Sequence, residues 1–196
     1  MSFTGKIDDV LLECSNAVDK WHAVQGESLQ YFSTLINIKK QLDSLLAPSV
    51  EKTLVLNNLA DVVDQLLVKE VHAFNNLVVK IQRNVEVFLS VVATMKRLRK
   101  RAWRLYNQGD IPVTACVESS ATSFSICEKL SWIDILERLY SEEVAVKEGL
   151  LSSITGELSA SSLSELMEQW KREQCLITTI DVVERMRYSA QPWLNK

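Results

Sequence analysis

Six of the 22 basic residues of this chain fall between positions 96 and 104: Lys96, Arg97, Arg99, Lys100, Arg101 and Arg104. Cations at this density neutralise phosphates or carboxylates, and the interleaved Trp103 and Tyr106 offer ring faces on which bases stack. The formal net charge is −3; without these six residues, 16 basic and 25 acidic side chains would leave −9. Positive charge is therefore segregated. Three readings stay open: contact with RNA, contact with an acidic protein partner, or complementation of the negative end of a helix with pairing to acidic surface elsewhere. Six charges exceed what a helix end requires. Trp103 and Tyr106 taken alone read as core.

No other group of residues assembles into a reactive centre. Acyl-transfer chemistry needs a nucleophile, a base and an orienting group, and only two histidines are present, His22 and His72. Both sit on helical patterns near apolar seams and read as structural side chains. Cys14, Cys116, Cys127 and Cys175 are scattered without a C-x-x-C pair or zinc-ligand spacing, so reduced thiols are expected. The carboxylate pairs Asp8/Asp9 and Glu142/Glu143 are adjacent, and neighbours on a helix point in different directions. Phosphate loops, dinucleotide fingerprints and His-Glu-x-x-His are absent. A non-enzyme with no cofactor, no metal and no small-molecule substrate is expected. With no run of about 18 apolar residues and no secretory leader in Met1–Lys6, neither membrane insertion nor export is expected. The expected location is cytoplasmic and nuclear.

The elements that must carry these residues are helices. Five Gly and three Pro in 196 residues fall far below the roughly 7% and 5% of average chains. Sandwiches and barrels need turn residues every 8–12 positions or so, which excludes them. From Ile7, heptad a positions are Ile7, Cys14, Trp21, Ser28, Leu35 and Leu42; d positions are Val10, Ala17, Val24, Tyr31, Ile38 and Leu45. Ser28 alone is polar among the aliphatic, aromatic and thiol side chains of this seam, which predicts one long helix over about 6–47. Gly26 interrupts it at a cost of about 1 kcal/mol, and Pro48 ends it.

A second helix is predicted over about 53–107. Leu56, Leu59, Val63, Leu66 and Leu67 start it; Phe74, Val78, Ile81, Val85, Phe88, Val92 and Met95 continue at spacings of four and three. Gly109 and Pro112 stop it. A Ser/Thr-rich linker spans 108–124. Ser125 and Glu128 form a capping box for a third helix over about 126–155, its face Leu130, Ile133, Leu136, Tyr140, Val144, Leu151 and Ile154. A second box, Ser162 and Glu165, starts a fourth over about 162–188, its face Leu163, Leu166, Met167, Trp170, Ile177, Ile180, Val183 and Met186. Trp193 in the tail docks on the bundle or frays. The expected architecture is all-α: one helical domain over 1–196, an elongated antiparallel four-helix bundle with two long and two shorter helices.

The order of several segments resembles one family of small helical proteins. Leu136-Glu137-Arg138-Leu139-Tyr140 followed by Leu150-Leu151-Ser152-Ser153-Ile154 resembles the C-terminal half of the AIRIM family of ribosome-maturation factors, also catalogued as casein kinase II substrates. Ile7–Cys14 resembles its opening turn, Leu56–Glu70 its second segment, Arg101–Gln108 its Arg-rich helix end, and Leu163 to Trp170-Lys171-Arg172 its last element. Together these cover about residues 7–186. The chain departs from the family at Val146-Lys147-Glu148-Gly149, where members are more basic, and at Asn58-Leu59, where they carry Phe-Pro.

The resemblance implies a non-catalytic adaptor subunit of an AAA ATPase assembly acting in maturation of the large (60S) ribosomal subunit. Its implied partners are the ATPase subunits, a second small helical subunit and pre-60S particles. Two alternatives stand beside it. Asp19-Lys20-Trp21-His22 and the Leu163–Trp170 helix also resemble the sister subunit, a cyclin-dependent-kinase-interacting family with a role in DNA replication and genome maintenance. The residues themselves allow an RNA-binding helical protein using the 96–104 segment. A self-associating coiled coil through Ile7–Leu45 is a further reading.

Overall fold

The computed structural model describes residues 3–46, 60–108, 116–117, 119 and 124–190. Its elements are α1 (Phe3–Leu46), α2 (Ala60–Gln108), α3 (Ile126–Ser152), α4 (Ala160–Arg172), a 3₁₀ turn (Gln174–Thr179) and α5 (Ile180–Ser189). Among the described residues there is no strand, so the all-α class holds. The stop at Pro48, the start of the second helix with Leu56 and Leu59, the Gly109–Pro112 stop and Trp193 lie outside the described residues.

Periodicity places the core residues. Every heptad position on α1 is buried except Val24, Tyr31 and Leu45, which are half-buried, and even the polar Ser28 is shut away from solvent. The seam is consumed inside the chain, which leaves no free stripe for the self-associating coiled coil. On α2 the buried side chains Phe74, Leu77, Ile81, Val85, Phe88, Val92 and Met95 repeat at three and four, as one face of a helix must.

The chain divides into two compact units. In the unit made of residues 1–24, 86–146 and 173–196, Trp21 is the central side chain. Its ring lies 4.2 Å from Phe88 and 4.9 Å, edge on, from Tyr140. Its indole N–H donates to Glu173 Oε1 at 2.6 Å. Burial, more than the nearby Glu173 charge, holds the Tyr140 hydroxyl above its ordinary pKa. Lys129 is buried and donates to Asp8 Oδ1 at 2.6 Å, and Ser189 Oγ approaches the same oxygen at 3.3 Å. Burial, followed by the neighbouring Glu13 carboxylate, pushes the Cys14 thiol up to about 12, which leaves it an inert core side chain. All four cysteines are free thiols.

In the unit made of residues 25–85 and 147–172, Phe32 packs on Trp170 with ring centroids 5.1 Å apart. Ser28, the polar exception in the heptads, receives a hydrogen bond from Asn84 Nδ2 at 3.1 Å. Lys147 is fully buried. It donates to Gln25 Oε1 at 2.9 Å and to the Trp170 carbonyl at 3.1 Å, and Gln25 Nε2 donates to that same carbonyl at 3.0 Å.

The helix ends match the sequence pattern in one place and depart from it in two. The first capping box is closed reciprocally: Glu128 N–H donates to Ser125 Oγ at 3.2 Å, and Ser125 N–H and hydroxyl both donate to Glu128 Oε2 at 2.8 Å. These bonds hold the Glu128 carboxyl below the usual range. The second box is corrected. Ser159 is the N-cap of α4, its Oγ accepting the Ser162 N–H at 3.1 Å, so Ser162 stands in the first helical turn. The fourth helix predicted over 162–188 is broken. Glu173 adopts left-handed backbone geometry (φ 43°, ψ 51°), which a non-glycine residue takes at a cost of about 1–2 kcal/mol. The 3₁₀ turn after it resets the register, because such a turn takes 3.0 residues rather than 3.6. Leu176 and Thr179 are therefore buried, while Ile177 and Ile180, assigned to the core face by periodicity, are 63% and 61% exposed.

Gly26 sits in α1, where an added Cβ would meet nothing within 4 Å. Gly26→Ala is expected to stabilise the chain by about 0.5–1 kcal/mol through the helix-propensity difference, as read by urea titration; a loss of stability would show that the position is not open. For Glu128, the folded-state pKa lies below the unfolded value of about 4.3. Its contribution is thus complete above that pH and fades as acid protonates the folded carboxylate. Glu128→Ala should cost about 1 kcal/mol near neutral pH and much less near pH 3. Equal costs at both pH values would contradict a charged cap.

Candidate binding interface on α2

The basic segment lies wholly within α2, and all six cations are exposed. Lys96, Lys100 and Arg104 recur every fourth residue and form one ridge with steps of about 6 Å. The buried Val91, Met95, Leu98 and Ala102 take the opposite side of the helix. The edges of the ridge are tied down. Arg99 Nε lies 2.6 Å from Asp134 Oδ1, and its Nη1 is 3.8 Å from Glu137 Oε2. Arg101 Nη1 lies 2.6 Å from Glu13 Oε1. Arg97 Nη2 donates to Thr94 Oγ1 at 3.1 Å on its own helix. Among the described residues, Lys96, Lys100 and Arg104 make no ion pair.

These positions decide part of the helix-end reading. The macrodipole acts within the last turn, and the last turn of α2 holds no basic residue. Pairing with acidic surface accounts for Arg99 and Arg101 alone. The ridge between them is left facing solvent.

Trp103 is 37% exposed, which corrects its reading as core. Its indole N–H donates to Asp134 Oδ1 at 2.9 Å, and its ring meets Tyr106 edge on at 5.8 Å. Together with Cys127, Leu130, Ser131 and Asp134, the two rings line a cleft of about 290 Å³. Asp134 was invisible in the sequence because nothing in local spacing links α2 to the third turn of α3.

The family-like residues do not converge on one site. Leu136 and Tyr140 are core, Glu137 is half-buried beside Arg99, and Arg138 pairs with Glu142 at 3.2 Å on the surface of α3. Leu150, Leu151 and Ile154 are half-buried. Ser152 and Ser153 are exposed and donate to the Gly149 carbonyl at 2.7 and 3.2 Å, which finishes α3. Trp170 is fully buried. The motif thus marks helix packing and a helix end. His22 and His72, read as structural side chains near apolar seams, are exposed on α1 and α2. Among the described residues, no three His, Cys, Asp or Glu side chains are grouped to hold a metal, and no helix is long and apolar enough to cross a membrane.

Among the described residues the chain is all helical, with buried seams and an outward basic ridge on α2, and comparison with known proteins gives it a family. The model described as "Ribosome biogenesis protein C1orf109-like" matches residues 3–184. The chain belongs to this C1orf109-like ribosome biogenesis family. The human protein named AFG2-interacting ribosome maturation factor is 24% identical over 173 residues, covering 85% of this chain and 84% of that protein. The mouse protein of the same name is 22% identical over 185 residues, covering 90% and 85%.

Proposed function

We propose that this chain is a non-catalytic adaptor subunit of an AAA ATPase assembly that acts in maturation of the large ribosomal subunit. The observation that carries this reading is the match, over 85–90% of this chain, to two proteins named for their interaction with AFG2 and for ribosome maturation. A relative that shared only one segment would not supply the whole set of contacts an adaptor makes; these cover more than four-fifths of both chains. In this reading the ATPase supplies the hydrolysis, and the helices present surfaces that hold it to its substrate. A second small helical subunit and pre-60S particles are the further partners, in the cytoplasm and nucleus. The basic ridge on α2 is the part of the surface most distinct in charge from the rest of an acidic chain, and it supports an anionic partner.

Affinity purification of the tagged full chain from cells tests the reading. An AFG2-type ATPase and large-subunit precursors are expected to co-purify at ratios near those of a stable complex. Recovery of the chain without any AAA ATPase would overturn it.

A further inference from the structure

The ridge and the cleft beside it are two recognition elements on one outward face, and each constrains what the other can bind. At 100° per residue, Trp103 lies about 60° around α2 from Lys100 and one turn along it. The ring therefore flanks the ridge on its Arg99 side, beside the path of a ligand that follows the three cations. The ring is also held in place: Arg99 grips Asp134 at 2.6 Å, and Asp134 accepts the indole N–H at 2.9 Å. Tyr106 backs the indole edge on. Arg99 compensates the Asp134 charge, so the cleft does not repel an anion as a bare carboxylate would. A ring fixed in advance costs less entropy to bind than one that must be ordered.

An acidic peptide would use the three cations and leave the aromatic cleft without a role. A single-stranded polynucleotide uses both, because cations follow its phosphates while an exposed aromatic ring stacks a base. The cleft volume of about 290 Å³ lies just below the roughly 300–1,000 Å³ found for pockets that take drug-sized ligands, which suits one flat base. We infer that Lys96, Lys100 and Arg104 together with Trp103 form a binding site for single-stranded RNA, three phosphates on the ridge and one base against the indole. This site belongs to the isolated chain and does not depend on the ATPase reading above.

Anisotropy of a labelled single-stranded RNA titrated with the full chain provides the test. Three phosphate contacts predict affinity falling about 20-fold between roughly 50 and 200 mM salt. Replacing Lys96, Lys100 and Arg104 with Ala should abolish most of that dependence. Trp103→Leu should weaken binding about 5- to 150-fold with the salt dependence unchanged, and Trp103→Phe should restore part of the loss, since Phe stacks a base but lacks the N–H that anchors the ring to Asp134. Duplex RNA, whose bases are already stacked, should bind like the Trp103→Leu variant binds single strands. All four side chains are exposed, so matching thermal melts are expected; if the triple variant melts early, Lys100→Ala alone should remove about a third of the salt dependence. No binding at low salt, or binding unaffected by the triple replacement, would overturn the inference. So would binding that ignores Trp103→Leu and is displaced by polyglutamate, which would assign the ridge to an acidic protein.

Discussion

The Lys147 ammonium is buried completely, and it donates to the carbonyl of Trp170 in the last turn of α4. The last four carbonyls of any helix lack partners within it; Lys171 and Arg172 reach solvent, but the Trp170 carbonyl meets buried donors instead of water. Lys147 and Gln25 supply two donors to that one oxygen, and Gln25 Oε1 takes a third bond from Lys147. The positive charge also faces the negative end of the α4 dipole and lies 4.8 Å from the Trp170 ring centroid. Burying an ammonium costs several kcal/mol before such contacts offset it. A lysine in this place therefore does something an apolar residue could not: it lets a helix stop where the packing requires.

Glu173 turns the chain through left-handed geometry, and its carboxylate accepts the Trp21 indole N–H. The first turn after it is held by the Cys175 N–H donating to Glu143 Oε2 at 3.2 Å and by Leu176 N–H donating to the Glu173 carbonyl at 2.8 Å. Burial, then the Glu143 charge, raises the Cys175 thiol above its ordinary pKa. Backbone groups released by the broken helix are thereby paired again, as buried polar groups must be.

Helix identity and most of the core were legible because they are local. Heptads fixed the face of α1, the three-and-four spacing fixed α2, and a Ser-x-x-Glu signal marked the start of α3. The features that escaped depend on residues far apart in sequence. Lysine is rarely buried, so neither Lys129 nor Lys147 stood out until Asp8 and the end of α4 were placed against them. The break at Glu173 had no glycine to announce it, and the apolar repeat ran through Ile177 and Ile180 as though the helix continued. Six clustered cations were plain in the sequence; which of them were already paired was not, since Asp134 and Glu13 come from other helices. Trp103 escaped as an exposed ring because apolar periodicity cannot tell a core aromatic from one at the rim.

α2 and α4 show one division of labour: helices are held from within by buried polar contacts, and unpaired charge is left on the surface. The clamp at the end of α4 is the central polar contact of the unit made of residues 25–85 and 147–172. It is tested most directly by replacing Lys147 with Met, which keeps the apolar stem, one atom shorter, and removes the donor, and measuring equilibrium unfolding with amide exchange across residues 166–172. Loss of a charged donor to buried acceptors predicts destabilisation by about 2–3 kcal/mol and faster exchange in the last turn of α4. Unchanged or greater stability with α4 equally protected would contradict it.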